Sequence, residues 1–179
     1  MRTITTRRLR LVPVGAQNAR VLWALLQRRE LRQYQDLPNL STDAFRDAVA
    51  KRPRSLRAGS SGRFEWLVQM IPHSDALGWL SLRIADREPE VGEIGYSILP
   101  EFCGKGIATE AVRALLVEGF EHATLRRITA YCVPENTASV RVLNKLGFKS
   151  SGMLRKGATV NGRAVDVMSY AIQSARGVP

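Results

Sequence analysis

Cysteine and histidine are scarce in this 179-residue chain, with two of each. Cys103 and Cys132 suggest no disulfide framework, and no short Cys/His spacing of the kind that holds zinc is present. His73 reads as turn surface and His122 as helix surface, so no metal site is expected. No apolar run approaches the roughly 20 residues that cross a bilayer. The basic N-terminus, MRTITTRRLRLVPV, is interrupted by arginines where a signal peptide needs an apolar core. A cytoplasmic protein without a membrane segment is the expectation.

Acid is the other shortage, and it is local. Residues 1–63 hold 14 Lys and Arg against four acids, Glu30, Asp36, Asp43 and Asp47, whereas residues 64–179 hold 13 against 12. A composition biased to arginine accounts for Arg over Lys, since only five of the 27 basic residues are lysines, but not for the missing acids. A basic face built by the N-terminal third favours an acidic or neutral partner over a polycation.

What is present is the patterning of one mixed α/β domain over residues 1–179. RRLRLVPV alternates charge and apolar residues, as a strand ending near Pro13 does. From Ala16 to about Gln35 the period is helical, with Val21, Leu22, Leu25 and Leu26 on one stripe, until Pro38 breaks it. Ser41 or Thr42 caps a second helix to about Arg52, with Phe45 and Val49 on one face. Residues 53–63 form a basic Ser/Gly-rich loop. Strands follow at 64–71 and 77–85, joined by a turn at PHSD, and at 91–99, where Pro100 ends the run. A helix runs from Ile107 to about Ala123, with Ala108, Val112, Leu115, Leu116 and Phe120 at core spacing. The strand at 127–133 comes after this crossover helix and so runs parallel to its neighbour. NTASVRVLNKLGF is a short helix with Gly147 as its left-handed C-cap, and strands at 149–156 and 163–172 are joined through Asn161-Gly162. The tally is seven strands.

The helix at Ile107 opens without a capping Ser, Thr, Asp or Asn. In their place stands Cys103-Gly104-Lys105-Gly106-Ile107-Ala108. A helix N-terminus carries about half a positive charge and unpaired N–H groups, and glycines let an anion approach the main chain. Gly104, Gly106 and Ala108 fit that need, with Lys105 adding charge at the rim. A tight strand-to-helix corner would use the same residues. The stretch is not a Walker A loop, which needs Lys-Ser/Thr after the second glycine, and it lacks the G-x-G-x-x-G spacing of dinucleotide sites.

The same stretch resembles the acetyl-CoA pyrophosphate loop of the GNAT superfamily of N-acyltransferases, Q/R-x-x-G-x-G/A. It matches at Gly106 and Ala108 and departs at Cys103. EIGYSILPEF before it, TEAVRALL after it and PENTASVRVLNKLGF at 134–148 are also similar to this family, and the order runs nearly end to end. The likeness is greatest to the branch of ribosomal-protein-alanine N-acetyltransferases. The resemblance implies a mostly antiparallel seven-stranded sheet with about four helices, splayed between strands 91–99 and 127–133. It implies acetyl-CoA as cosubstrate, with the pantetheine in the splay and cofactor contacts from Ile98, Cys103, Gly104, Lys105, Gly106, Ile107, Ala108, Thr109, Asn136 and Ser139. It further implies an amine acceptor, a protein N-terminus or ribosomal protein among the options, with no requirement for nucleic acid.

Acetyl transfer to an amine needs a neutral amine, a donor to the oxyanion and a proton for the thiolate. Glu93, on the strand before the loop where similar enzymes place a Glu, is the candidate base, acting through water; the equal alternative is a salt-bridged or rim Glu on a half-exposed strand. Asp166 is a second, less favoured carboxylate. Many relatives carry a Tyr seven residues after the Asn of the second signature, but this chain has Leu143 there. Ser139 is the remaining candidate acid, Asn136 holds the pantetheine, and both could equally be helix caps. Tyr96 and Tyr131 are spare donors of a type that is usually core. Cys103 as a nucleophile has no nearby His in sequence and no role in direct transfer. Beside the N-acetyltransferase reading stand a non-catalytic acyl-CoA-binding module, kept open by the missing Tyr, and a ribosome- or RNA-associated module using the basic third.

Overall fold

A computed structural model describes residues 1–34 and 40–175. The strands are β1 (Ile4–Thr5), β2 (Leu9–Pro13), β3 (Gly62–Met70), β4 (Ala76–Ile84), β5 (Val91–Ile98), β6 (Arg127–Cys132), β7 (Lys149–Val160) and β8 (Arg163–Gln173). The helices are α1 (Ala19–Gln27), α2 (Thr42–Ala50), α3 (Ile107–Val117) and α4 (Thr137–Lys145). Among the described residues none is long and apolar enough to cross a membrane.

All eight strands form one open sheet in the order β1-β2-β3-β4-β5-β6-β8-β7. The sequence led to seven strands. The eighth is β1, too short for a periodicity to show: a turn closed by Thr6 N–H to the Leu9 carbonyl folds Ile4 and Thr5 back onto Leu11 and Arg10. Every pairing is antiparallel except β5–β6, the pair that α3 connects. That parallel pairing runs only from Val91 opposite Arg127 to Ile94 opposite Ala130. Beyond it Gly95–Ile98 and Tyr131–Cys132 diverge, so the sheet splays where the resemblance implied. Thr129 Oγ1 donates to the Gly92 carbonyl at 3.1 Å and stitches the strands together just short of the opening.

Alternation along the strands divides the side chains between two layers. Phe64, Trp66 and Val68 of β3, Leu80, Leu82 and Ile84 of β4, Ile94 and Ile98 of β5, and Ile128 and Ala130 of β6 pack with α3 and Leu143 of α4. Leu67 and Trp79, on the opposite face, pack with Leu22, Leu25 and Leu26 of α1 and Phe45 and Val49 of α2. Burial of these side chains, about 1.5–3 kcal/mol each, fixes which face each intervening polar residue must take.

Four local features differ from the sequence expectation. Helix α1 ends at Gln27, because Arg28-Arg29-Glu30 after it offer no core residue and only Leu31 beyond them is buried. Gln35 and Pro38 lie outside the described residues. Val21 is exposed, and the buried stripe is Ala19, Leu22, Leu25 and Leu26. Helix α3 passes into a π turn, Glu118–His122, before reaching Ala123. Strand β7 continues to Val160, through an irregularity in its pairing between Leu154 and Ala158. Ser41 caps α2 by accepting from Ala44 N–H, and Gly147 takes φ +88 after α4.

Candidate active site

The loop before α3 has the geometry of an open anion cradle. Gly104 and Gly106 both sit at φ +75, a left-handed conformation that suits glycine. Gly106 is the N-cap of α3, with no capping side chain. Among the described residues the N–H groups of Ile107, Ala108 and Thr109 have no hydrogen-bond partner. Gly104, Lys105 and Gly106 are exposed, and a Cβ at Gly104 would meet nothing within 4 Å. The Ile107 side chain is buried, so this residue can offer a ligand only its backbone.

Lys105 does not face the cradle as its sequence position suggested. Its ammonium donates to the Glu101 carbonyl at 2.8 Å and lies 5.6 Å from the Phe102 ring centroid. The cation over the loop is Arg8, which the sequence reading missed. Arg8 Nη1 donates to the Lys105 carbonyl at 3.1 Å, and Nη2 lies 3.6 Å from where a Cβ of Gly106 would stand. Glu110, in the first turn of α3, accepts from Arg8 Nε at 2.7 Å, Arg8 N–H at 3.0 Å and Thr6 Oγ1 at 2.6 Å. Burial acts to raise the Glu110 pKa, but these hydrogen bonds and the Arg8 charge outweigh it and hold the carboxyl below its ordinary range. The tie between the turn before β2 and α3 therefore persists at neutral pH. Nothing near Arg8 in sequence advertises the role, since its partner lies 102 positions away.

The splay gathers a second group. Asn136 is the N-cap of α4, and its Oδ1 accepts from Ser139 N–H at 3.1 Å. The Tyr96 hydroxyl donates to the Ser139 carbonyl at 3.3 Å. Burial pushes the Tyr96 phenol up to about 12, with Cys132 adding to the rise and the Ser139 hydrogen bond opposing it. The Cys132 thiol is also raised, by burial. Both stay protonated at neutral pH. Ile98 is buried in the core between the sheet and α3, at the far end of the splayed stretch. Cys103 is exposed, its thiol 3.6–3.7 Å from the Leu99 and Ile98 carbonyls. Leu143 is core, and Tyr131 is exposed on β6.

Glu93 lies on the opposite face of β5 from Ile94, toward the α1–α2 layer. Gly95 and Ser97 follow it on that face, and Gly95 leaves no side chain between Glu93 and the mouth of the splay. Among the described residues Glu93 makes no ion pair or hydrogen bond, so the salt-bridged alternative finds no partner while the plain rim position stands. Asp166 is committed elsewhere, its Oδ1 accepting from Lys156 N–H at 2.8 Å within the β7–β8 hairpin. His73 and His122 are both exposed, and His122 Nε2 lies 2.5 Å from Arg2 Nη2. No group of three or more His, Cys, Asp or Glu able to hold a metal occurs among the described residues.

A parallel strand pair that opens beside an uncapped glycine-led helix defines a site for a long ligand ending in an anion. Comparison with known proteins gives that site its family. Residues 8–149 match the model of the acetyltransferase (GNAT) domain. The N-acetyltransferase p20 of Bacillus licheniformis is 32% identical over 173 residues, 96% of either chain. The ribosomal-protein-serine acetyltransferase of Escherichia coli is 27% identical over 105 residues, 59% of either chain. The solved ribosomal L7/L12 α-N-protein acetyltransferase RimL, a complex with coenzyme A, superposes with a TM-score of 0.80 at 24% identity, covering 96% of this chain and 98% of that one. The chain belongs to the GNAT acetyltransferase family and is an N-acetyltransferase, with homologues and structural neighbours in the ribosomal-protein acetyltransferase branch.

Proposed function

We propose that this enzyme moves the acetyl group of acetyl-CoA directly onto a primary amine, and that the amine is a protein N-terminus. The observation that carries the reading is the end of β5–β6 pairing at Ile94 and Ala130, with the uncapped start of α3 at one end of the gap and unpaired Glu93 beside the other. The ribosomal-protein relatives favour a protein acceptor.

The residues fit the cosubstrate. The N–H groups of Gly104 to Thr109 and the Arg8 guanidinium hold the pyrophosphate. The free edge of β5, Gly95–Ile98, pairs with the pantetheine amides, which relieves an otherwise unpaired strand edge. Asn136 and Ser139 close the other side. Acetyl-CoA supplies an activated acyl group as a thioester. Glu93 takes a proton from the amine through one water. The nitrogen bonds to the carbonyl carbon as the C–S bond breaks, and the hydroxyl of Ser139 or of Tyr96 gives a proton to the departing sulfur. Tyr96 gains weight over its sequence reading because its hydroxyl stands beside Ser139 at the splay.

The test measures CoA release and peptide mass with the purified chain, acetyl-CoA and a panel of N-terminal peptides, polyamines and aminoglycosides. Acetylated peptide products are expected. Acetyl-CoA binding with no amine-stimulated release would overturn the reading in favour of a non-catalytic acyl-CoA module. Gly106→Val tests the cradle separately. A β-branched residue at φ +75 strains the backbone and stands in the path of the phosphate, so acetyl-CoA affinity is expected to fall tenfold or more, at least about 1.4 kcal/mol. Unchanged affinity by calorimetry would remove the loop from the site.

A further inference from the structure

The face of the sheet that carries Glu93 also carries a row of three charges across three strands. Registers across β3, β4 and β5 place Arg63 opposite Arg83 and Arg83 opposite Glu93. Like charges directly opposite on neighbouring strands destabilise a sheet. Arg63 is compensated by an ion pair from Nε to Glu65 Oε1 at 2.8 Å. Arg83 is exposed and, among the described residues, has no ion pair or hydrogen bond. Burial lowers the Arg63 pKa, Glu93 acts against that and Arg83 adds to it, so the three charges share one local field. Arg63 and Arg83 also line an open cavity of about 530 Å³ with Ser61, Asp86 and Arg87. Glu93 opposite Arg83 returns part of that cost, and an exposed cation without an ion pair among the described residues, beside the candidate base, is placed to meet a ligand.

We propose that Arg83, backed by Arg63, binds a carboxylate of the acceptor, and that the acceptor is a peptide N-terminus with Asp or Glu at its second or third residue. The inference rests on the acetyl-transfer reading above. Neighbouring strands lie about 4.8 Å apart, so Arg83 stands one strand and Arg63 two strands from Glu93. An extended peptide advances about 3.3–3.6 Å per residue. With its amine at Glu93, the side chain of residue two or three reaches the arginines. Glu93 and Arg83 together form a carboxylate–guanidinium row that complements the ammonium and carboxylate of such a peptide. A hydrogen-bonded charge pair of this kind supplies on the order of tenfold in affinity, and an exposed one is salt-sensitive.

The experiment compares the full chain with Arg83→Gln, Arg83→Glu and a control on the outer side of α3, Arg113→Gln. Three peptides share a first residue and carry Asp, Ala or Lys at positions two and three. At saturating acetyl-CoA, wild type and the control are expected to prefer the Asp peptide over the Ala peptide by on the order of tenfold in kcat/KM, mostly through KM, with the ratio shrinking as salt rises. Arg83→Gln is expected to bring the ratio near one and, because relief of the Arg63–Arg83 opposition offsets loss of the charge opposite Glu93, to leave the thermal midpoint near that of wild type. Arg83→Glu is expected to prefer the Lys peptide. An unchanged Asp preference in Arg83→Gln overturns the proposal. So does a lower midpoint with a uniform loss on all three peptides, which would mark Arg83 as structural. Peptides acetylated with no Asp preference in wild type sink this inference alone, whereas acetyl-CoA bound and no peptide acetylated removes the acetyl-transfer reading with it.

Discussion

Glu93→Gln is expected to lower kcat on the order of a hundredfold while leaving acetyl-CoA affinity and the folding midpoint near those of wild type. The change keeps the shape of the side chain and removes only its ability to take a proton. Glu93 makes no ion pair or hydrogen bond among the described residues, so stability has little to lose. The cofactor cradle is far from it in kind as well as place, being built from backbone N–H groups and Arg8. A pH profile separates a base from a residue that merely positions the amine. Without a base, reaction depends on the fraction of amine already neutral, and an α-amino group loses its proton near pH 7.7–8.0. The deficit of Glu93→Gln is therefore expected to narrow as pH rises past about 8. A variant within about threefold of wild type at neutral pH, or a deficit constant with pH, would take the proton-transfer role away from Glu93.

Much of the architecture was legible because each major element has a strong local signal. The strand edges fall within two residues of those observed for β3, β4, β5 and β6, where apolar alternation and punctuation by Pro72, Pro100 and Pro134 agree. The parallel step at β5–β6 follows from the crossover helix, and the glycine-led helix start is visible as a missing cap. What escaped reading is what depends on residues distant in sequence. Lys105 stood beside the loop on paper, yet its ammonium folds back to Glu101, and the loop's cation comes from Arg8, just before β2. Tyr96 was legible only as a spare donor of a type that is usually core; it does pack against the core, and only the approach of α4 gives its hydroxyl a partner at the Ser139 carbonyl. Glu65 in FEWLVQMI alternates like a solvent-facing strand residue. Its burial is decided by Arg52, just beyond the end of α2, which no periodicity connects to β3.

That buried carboxylate makes Glu65→Ala the substitution with the largest expected cost in stability. Glu65 is 3% exposed and neutralises two guanidiniums, Arg63 through Nε at 2.8 Å and Arg52 through Nη1. Burial first and Arg63 second pull the Arg52 pKa down to about 10, so Arg52 remains a cation at neutral pH. Removing Glu65 leaves that half-buried charge without a counter-ion, and breaking a buried pair from one side typically costs about 3–5 kcal/mol. For a domain of this size that corresponds to a fall of about 10 °C in thermal midpoint. Arg63 has an escape that Arg52 lacks, because its side chain is 46% exposed and can turn to water. The double variant Glu65→Leu/Arg52→Met is accordingly expected to recover most of the loss, since replacing a buried pair by apolar groups is often neutral or stabilising. Denaturant or thermal unfolding of the two singles and the double gives the coupling directly. A Glu65→Ala midpoint within about 2 °C of wild type would show that the cluster stabilises nothing. The same set bears on specificity: without Glu65, Arg63 faces Arg83 uncompensated. The row that reads the acceptor's carboxylate then gains charge but loses the ion pair that fixes one of its members, so Asp-peptide preference is expected to become more salt-dependent in Glu65→Ala than in wild type.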